Sequence, residues 1–220
     1  MTLLDYPGKV ACTVFLAGCN LRCPFCHNAP LVLEAPPAAM TEEEFFAFLS
    51  KRRGLLDGVC VTGGEPTLRP GLPEFLRKIR EAGYLVKLDT NGTNPRMLRS
   101  LLEEKLVDYV AMDIKNSPGA YAPICGGIDV LEAVQESAAL LMAGKRDYEF
   151  RTTCVAPFHT LKTMEELGRW LAGAKQYYLQ SFVDSGSLVG TGVSGLTKEE
   201  MEDLRQAVLP YIPNTRIRGI

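Results

Sequence analysis

At 220 residues the chain is most economically one domain, 1–220, with room for a substantial core. Its 24 basic and 26 acidic residues give a net charge of −2 and no basic run able to track a phosphate backbone, so nucleic acid is not the expected partner. No apolar segment is long enough to span a bilayer, the start lacks a signal-peptide pattern, and seven cysteines with three clustered argue against disulfides, so the reducing cytoplasm is the expected location.

Lys9 to Leu16 is rich in β-formers and predicts a strand that runs into a turn-rich segment, Gly18 to Asn28. The Pro- and Ala-rich stretch to Met40 continues that loop. Thr41 and Glu44 form a capping box, and Phe45, Phe48 and Leu49 follow at helical spacing. Gly58 to Thr62 predicts a second strand, broken by Gly63-Gly64-Glu65-Pro66, and Leu72, Phe75, Leu76 and Ile79 stripe a helix. Tyr84 to Leu88 is the third strand, ending in Asp89-Thr90-Asn91-Gly92, after which Asn94 and Pro95 open a helix. Val107 to Met112 is the fourth, ending in Asp113-Ile114-Lys115. A longer loop leads to a helix with Asp129 as its expected cap. Tyr148 to Val155 is the fifth strand, Thr163 with Glu166 the cap expected next, Gln176 to Val183 the sixth strand, and Thr197 with Glu200 the last cap. Thr215 to Arg218 adds an expected edge strand.

Six strands each followed by a helix imply a parallel sheet with right-handed crossovers. The unusual polar residues all fall at the carboxyl ends of strands, where barrels place their active sites. The expected fold is therefore α/β, an incomplete (β/α)6 TIM-like barrel whose strand ends converge.

Cys19, Cys23 and Cys26 stand at the spacing CxxxCxxC. Three thiolates on one loop can hold three irons of a four-iron cluster, and no fourth cysteine lies nearby to close the last iron. That open iron is a place for a small molecule. A structural zinc knuckle, the alternative, closes with four ligands, and His27, abutting Cys26, is poorly placed to be the fourth. Cys12, Cys60, Cys125 and Cys154 read as small buried apolar residues. The triplet, with Phe25 before its last cysteine, resembles the signature of the radical S-adenosylmethionine (SAM) enzymes. That resemblance implies that the SAM amino and carboxylate groups chelate the open iron.

On this reading Gly63 and Gly64 let SAM approach the backbone, and the Glu65 carboxylate accepts from its ammonium. Phe25, beside the cluster, meets the adenine or packs in the core. Asp89 and Asp113, with Thr90, bind a cation or fix the charge of the sulfonium region; alternatively they pair with Lys87, Lys115 or Arg151, or cap local turns. Lys115 and Arg151 are candidates to neutralise the SAM carboxylate, with Gln180 a further contact. His159 has no partner visible in sequence and reads as a loop histidine.

Taken together, Asp5-Tyr6-Pro7-Gly8, the cysteine loop ending Cys26-His27-Asn28, Gly63-Gly64-Glu65-Pro66, Asp89-Thr90-Asn91-Gly92 and Met112-Asp113-Ile114-Lys115 resemble the activating enzymes of glycyl-radical enzymes. Among these the chain looks most like the activators of anaerobic ribonucleoside-triphosphate reductase and is similar to the activators of pyruvate formate-lyase. The resemblance implies a [4Fe-4S] cluster on the three cysteines that reductively cleaves SAM, and a radical that takes a hydrogen atom from a glycine Cα of a partner protein. It further implies a reduced flavodoxin- or ferredoxin-type electron donor, a monovalent cation near SAM at Asp89, Thr90 and Asp113 with the Ala111 carbonyl as another contributor, and Asp5 near the incoming glycine loop. Tyr6 stands where many relatives have Gly, and Ala17 where many have Gln. The competing functions are a radical SAM enzyme acting on a small molecule or peptide, and a non-catalytic iron–sulfur carrier or sensor.

Overall fold

Strand and helix alternate through the chain as the periodicity demands. A computed structural model describes residues 2, 4–34, 36–184 and 186–219. Its strands are β1 (Ala11–Leu16), β2 (Gly58–Gly63), β3 (Leu85–Thr90), β4 (Tyr109–Asp113), β5 (Asp147–Cys154), β6 (Tyr177–Ser181) and β7 (Thr215–Arg218). They form one sheet in the order β1 to β7, with every neighbouring pair parallel. The sheet is thus a barrel wall whose edge strands are β1 and β7. The edge strand expected over Thr215 to Arg218 is its seventh member.

The crossovers are α1 (Ala29–Leu33), α2 (Glu42–Ser50), α3 (Leu72–Glu81), α4 (Pro95–Glu103), α5 (Tyr121–Ile124), α6 (Leu131–Ala143), α7 (Leu161–Trp170) and α8 (Lys198–Val208). The capping boxes at Thr41 and Thr197 form as expected, each hydroxyl accepting from the backbone N–H three residues on. Two expected caps move. Thr160, not Thr163, caps α7, and Thr163 takes the third helical position and closes the box from there. Asp129 accepts from Leu131 N at 3.3 Å as a local turn, and Val130 occupies the cap position of α6. Helices α1 and α5 stand in stretches expected as loop; both are a turn long, too short for a hydrophobic period to show. Among the described residues no helix is long and apolar enough to cross a membrane.

Side chains alternate across a strand, and here the two faces differ in chemistry. Val59, Val61, Val86, Leu88, Val110, Met112, Phe150 and Leu179 are fully buried on the helix side. There they join one core with Leu76 and Ile79 of α3, Leu98 and Leu101 of α4, Val134 and Ala138 of α6, and Met164 and Leu167 of α7. The opposite face carries Lys87, Asp89, Asp113, Glu149, Arg151 and Arg218, linked to one another as ion pairs. At the amino end of this inner face the Tyr6 ring closes the bore. It is 4% exposed, lies 6.1 Å from the Tyr109 ring, and leaves no room for a Cβ on Gly58, which would sit 3.0 Å from it. The tyrosine that departs from the family pattern is therefore a plug.

Candidate active site

The cysteine loop is held by the strand beside it. Beyond β2, Gly64 N donates to Leu16 O and Glu65 N to Gly18 O, both at 2.8 Å, so main-chain pairing continues past the strand end into the loop. A Cβ on Gly63, whose φ is +123°, would lie 2.3 Å from Leu16 O, and one on Gly64 would lie 2.0 Å from Gly18 O. What approaches these glycines most closely is the cysteine loop itself. The loop is tied further by Asn28 Nδ2 to Gly63 O at 3.1 Å, Gly18 N to Leu31 O at 2.7 Å, and Asn91 Nδ2 to Asn20 Oδ1 at 3.1 Å.

Cys19, Cys23 and Cys26 line one cavity of about 230 Å³, together with Gly63, Gly64, Asp89, Asp113, Lys115, Arg151 and Gln180. A wider hollow of about 500 Å³ on the helical layer, lined by Glu165, Asp203, Gln206 and Tyr211 among others, includes none of these groups. Burial pushes the Cys19 and Cys26 thiols up; the backbone N–H groups of Leu21 and Asn28, and after them Lys115, pull them back. Cys23 is held below the ordinary thiol range, first by a hydrogen bond with Cys125, whose own thiol is pushed up by the same contact. Sulfur also meets N–H donors: Leu21 N lies 3.4 Å and Asn91 Nδ2 3.8 Å from Cys19 Sγ.

This donor set fits a four-iron cluster. Among the described residues no three His, Cys, Asp or Glu side chains converge as ligands of a single ion. A cubane takes each thiolate on a separate iron, which three thiols spread around one cavity match, and N–H donors and a nearby cation stabilise the negative sulfur. All seven cysteines are free thiols.

The cavity floor is a ladder of charge. Arg151 Nε and Nη2 reach Asp113 Oδ1 at 2.9 Å, and its Nη1 reaches Asp89 Oδ2 at 3.1 Å. Lys115 Nζ lies 3.1 Å from Asp113 Oδ2 and 5.9 Å from the Phe25 ring centre, and buried Lys87 bonds Asp89 Oδ1. Burial alone would raise the Asp113 pKa, but Arg151 and Lys115 outweigh it and bring the group down to about 2. The same carboxylate raises Lys115 and Arg151 against their own desolvation.

Three expectations change here. Of the two roles open to Asp89 and Asp113, the structure shows the ion pairs: the Arg151 guanidinium lies between the two carboxylates expected to hold a cation with Thr90, whose hydroxyl donates to Glu65 at 2.8 Å. Glu65 does not face the cavity. Its carboxylate is 1% exposed and accepts from Thr67 N at 3.0 Å, Thr67 Oγ1 at 2.6 Å, Thr90 Oγ1 at 2.8 Å and Asn91 N at 2.6 Å. Burial pushes its pKa up and these four donors hold it back, so Glu65 clamps the end of β3 to the run after β2 and spends its carboxylate on this chain's own groups. His159 is no idle loop residue: its ring nitrogens lie 2.9 Å from Lys115 O and 2.9 Å from Val155 N, bracing the segment that carries Lys115.

Phe25 is 4% exposed at the cavity wall, and Gln180 also lines the cavity. Asp5 does not line it; its Oδ2 accepts from Thr13 Oγ1 at 2.6 Å on β1. Asn28, Thr62, Asn91 and Thr153 line the cavity and were not singled out in sequence. Thr153 shares a face with Arg151 two residues earlier, so strand alternation could have found it. Asn91 belongs to a strand-end run already noted.

The radical SAM superfamily model matches residues 13–171. A protein of Methanocaldococcus jannaschii, named by inference as a glycyl-radical enzyme activating enzyme, is 31% identical over 227 residues, covering 100% of this chain and 93% of its own. The pyruvate formate-lyase-activating enzyme of Clostridium pasteurianum is 35% identical over 121 residues, 53% of this chain and 50% of that enzyme. SuiB of Streptococcus suis, solved bound to S-adenosylmethionine, superposes with a TM-score of 0.74 at 13% identity, over 96% of this chain and 50% of SuiB. At that identity the likeness is one of fold.

Proposed function

The chain belongs to the radical SAM superfamily, in its group of glycyl-radical-enzyme activating enzymes, and from that premise we propose that it activates an anaerobic ribonucleoside-triphosphate reductase by removing a hydrogen atom from a glycine Cα. The observation that carries this reading is one cavity uniting three thiols with the charged carboxyl ends of β3, β4 and β5. When bound, the [4Fe-4S] cluster and SAM supply the electron and the hydrogen-abstracting radical.

Cys19, Cys23 and Cys26 hold the cluster, and Gly63, Gly64 and the ladder line the same cavity. Lys87, Lys115 and Arg151 against Asp89 and Asp113 leave one positive charge in excess, which suits the carboxylate of SAM. Phe25 offers a flat wall to the adenine, and Gln180 and Thr153 offer polar groups on the far side. The Tyr6 plug excludes water from the amino end of the bore, which protects a reactive radical from quenching. The whole chain works as one domain in a reducing cytoplasm and takes its electron from a reduced flavodoxin- or ferredoxin-type donor.

Anaerobically reconstituted protein, reduced and mixed with SAM and an anaerobic ribonucleoside-triphosphate reductase, is expected to give the glycyl doublet in electron paramagnetic resonance. A doublet with another glycyl-radical enzyme and none with the reductase would reassign the partner. No doublet with any would remove the activase reading.

A further inference from the structure

The inner face of the sheet is largely charged and polar, and its apolar residues Ala11, Cys60 and Ala111 are buried, unlike Phe15 at the edge. Phe15, on β1, is 55% exposed, and no other phenylalanine or tryptophan among the described residues is as exposed. It stands opposite Thr62 in the register of β1 with β2, and Thr62 lines the cavity. An aromatic side chain left in water beside the site, on the strand that borders the gap in the barrel, has lost no partner inside this chain.

The backbone beside it is unpaired as well. Val10 O accepts from Asp57 N and Leu16 O from Gly64 N, both at 2.8 Å, so the even-numbered residues of β1 aim their main chain at β2. Ala11 points the other way and exchanges two hydrogen bonds with Thr2, at 2.7 and 3.0 Å, as an antiparallel bridge. By the same alternation Thr13 and Phe15 turn their N–H and C=O groups to the side that Thr2 occupies. Among the described residues no backbone partner continues along that side. The edge already pairs with Thr2 at its first step, and the next two steps lead toward the cavity.

We propose that the free edge of β1 at Thr13 and Phe15 receives the glycine-bearing segment of the partner protein as an added strand, with the Phe15 ring packing on it. The proposal rests on the activase reading and specifies how the substrate is held. An extended polypeptide is the occupant because the edge presents alternating donors and acceptors spaced for main chain, and Phe15 adds an apolar contact for a side chain of the same segment. Asp5, bonded to Thr13 Oγ1, flanks the same row and can accept from a backbone N–H of the incoming strand. Strand addition would also fix the depth to which a chosen glycine enters, since a register set by main-chain bonds moves only in steps of two residues.

The test uses the loaded, SAM-bound protein and a fluorescent peptide copying the glycine-bearing loop of whichever partner gives the doublet. Binding is read by anisotropy for a series in which each backbone amide in turn is N-methylated. Strand pairing predicts a period of two: methylation at alternate positions weakens binding about tenfold, the loss of a main-chain hydrogen bond, and the positions between are tolerated. Phe15→Ala is expected to weaken the unmodified peptide by a similar factor, with iron content and circular dichroism as checks on its folding. Should that variant misfold, the N-methyl series on the unaltered protein still decides. A flat series, or self-association of the protein through this edge that the peptide does not compete with, would overturn the proposal while the doublet kept the activase reading intact. Loss of the doublet with every partner would remove both.

Discussion

Phe150 and Arg151 are neighbours in sequence and opposites in role. Phe150 faces the helices and is fully buried in the core, whereas Arg151 faces the bore and joins two carboxylates from two other strands. The contrast holds across β3 to β5. Outside, Val, Leu, Met and Phe exclude water and contribute stability in proportion to buried area. Inside, the same strands hold charge that an ordinary barrel core would replace with branched aliphatics. A buried ion pair is weak evidence for stability, because desolvation offsets most of the attraction. The inner face is therefore best understood as a preorganised receptor for a charged ligand, and the outer face as the scaffold that keeps it rigid.

The sharpest break between the two faces is expected at the cysteines. Cys19→Ala, Cys23→Ala or Cys26→Ala should each abolish the bound four-iron cluster while the apoprotein keeps its fold, measured as iron content beside circular dichroism. An intact cluster in any of the three would remove that residue from the ligand set. Next comes the adjacent pair on β5. Phe150→Ala should cost about 3–5 kcal/mol in urea unfolding by transfer and cavity terms. Arg151→Gln should instead weaken SAM binding by about tenfold in calorimetry, with a smaller stability loss. If the two variants exchange these signatures, the division of labour between the faces is wrong.

Glu65 tests a residue between the two classes. Its carboxylate accepts four hydrogen bonds from this chain, and Glu65→Gln turns one acceptor atom into a donor aimed at donors. A loss of about 2 kcal/mol is expected, visible as a lower urea midpoint in apoprotein without SAM. A variant as stable as the parent but deficient in SAM affinity would restore Glu65 to the ligand.

The smallest effect concerns pH. Asp113 is held at about 2, below its ordinary 3.8, once Arg151 and Lys115 outweigh burial. A depressed acid contributes stability above its unfolded pKa and loses it as pH falls through the folded one. The contribution, at most about 2 kcal/mol for a carboxylate that is a third exposed, should therefore be complete above about pH 4 and disappear toward pH 2. Asp113→Asn should flatten that part of the stability curve in acid titrations of the apoprotein. An unchanged slope would show that the ladder does not hold Asp113 ionised.

How much of this was legible depended on the range of the interaction. Periodicity and capping residues are local, so every strand was found, as were the capped helices at Thr41, Asn94 and Thr197. The cysteine spacing and the polar strand ends are local too, and they located the cavity. What the sequence could not show was who partners whom across the fold. Lys115, Arg151, Asp89 and Asp113 were all recognised, but whether Arg151 serves SAM or the two aspartates depends on strands that are 38 and 62 residues away in sequence. Glu65 looked like a ligand because it follows Gly63-Gly64 at a strand end; its side chain turns away because Thr67 and the end of β3 offer four donors. Cys125 read as a spare buried thiol, and only the packing of the loop around α5 on the cysteine segment, with Arg22 N bonded to Cys125 O at 3.2 Å, brings it beside Cys23. The cap of α7 slipped by three residues because Thr160 and Thr163 both have hydroxyls that can cap, and only geometry ranks them.

The central claim is that this cavity generates a radical that acts on a glycine of another protein. Partner protein labelled with deuterium at its glycine α-carbons, incubated anaerobically with the reduced protein and unlabelled SAM, tests it in one mass spectrum of the 5′-deoxyadenosine formed. The account predicts one deuterium in that product, appearing in step with the glycyl doublet; 5′-deoxyadenosine formed without deuterium, or none formed at all, would contradict it.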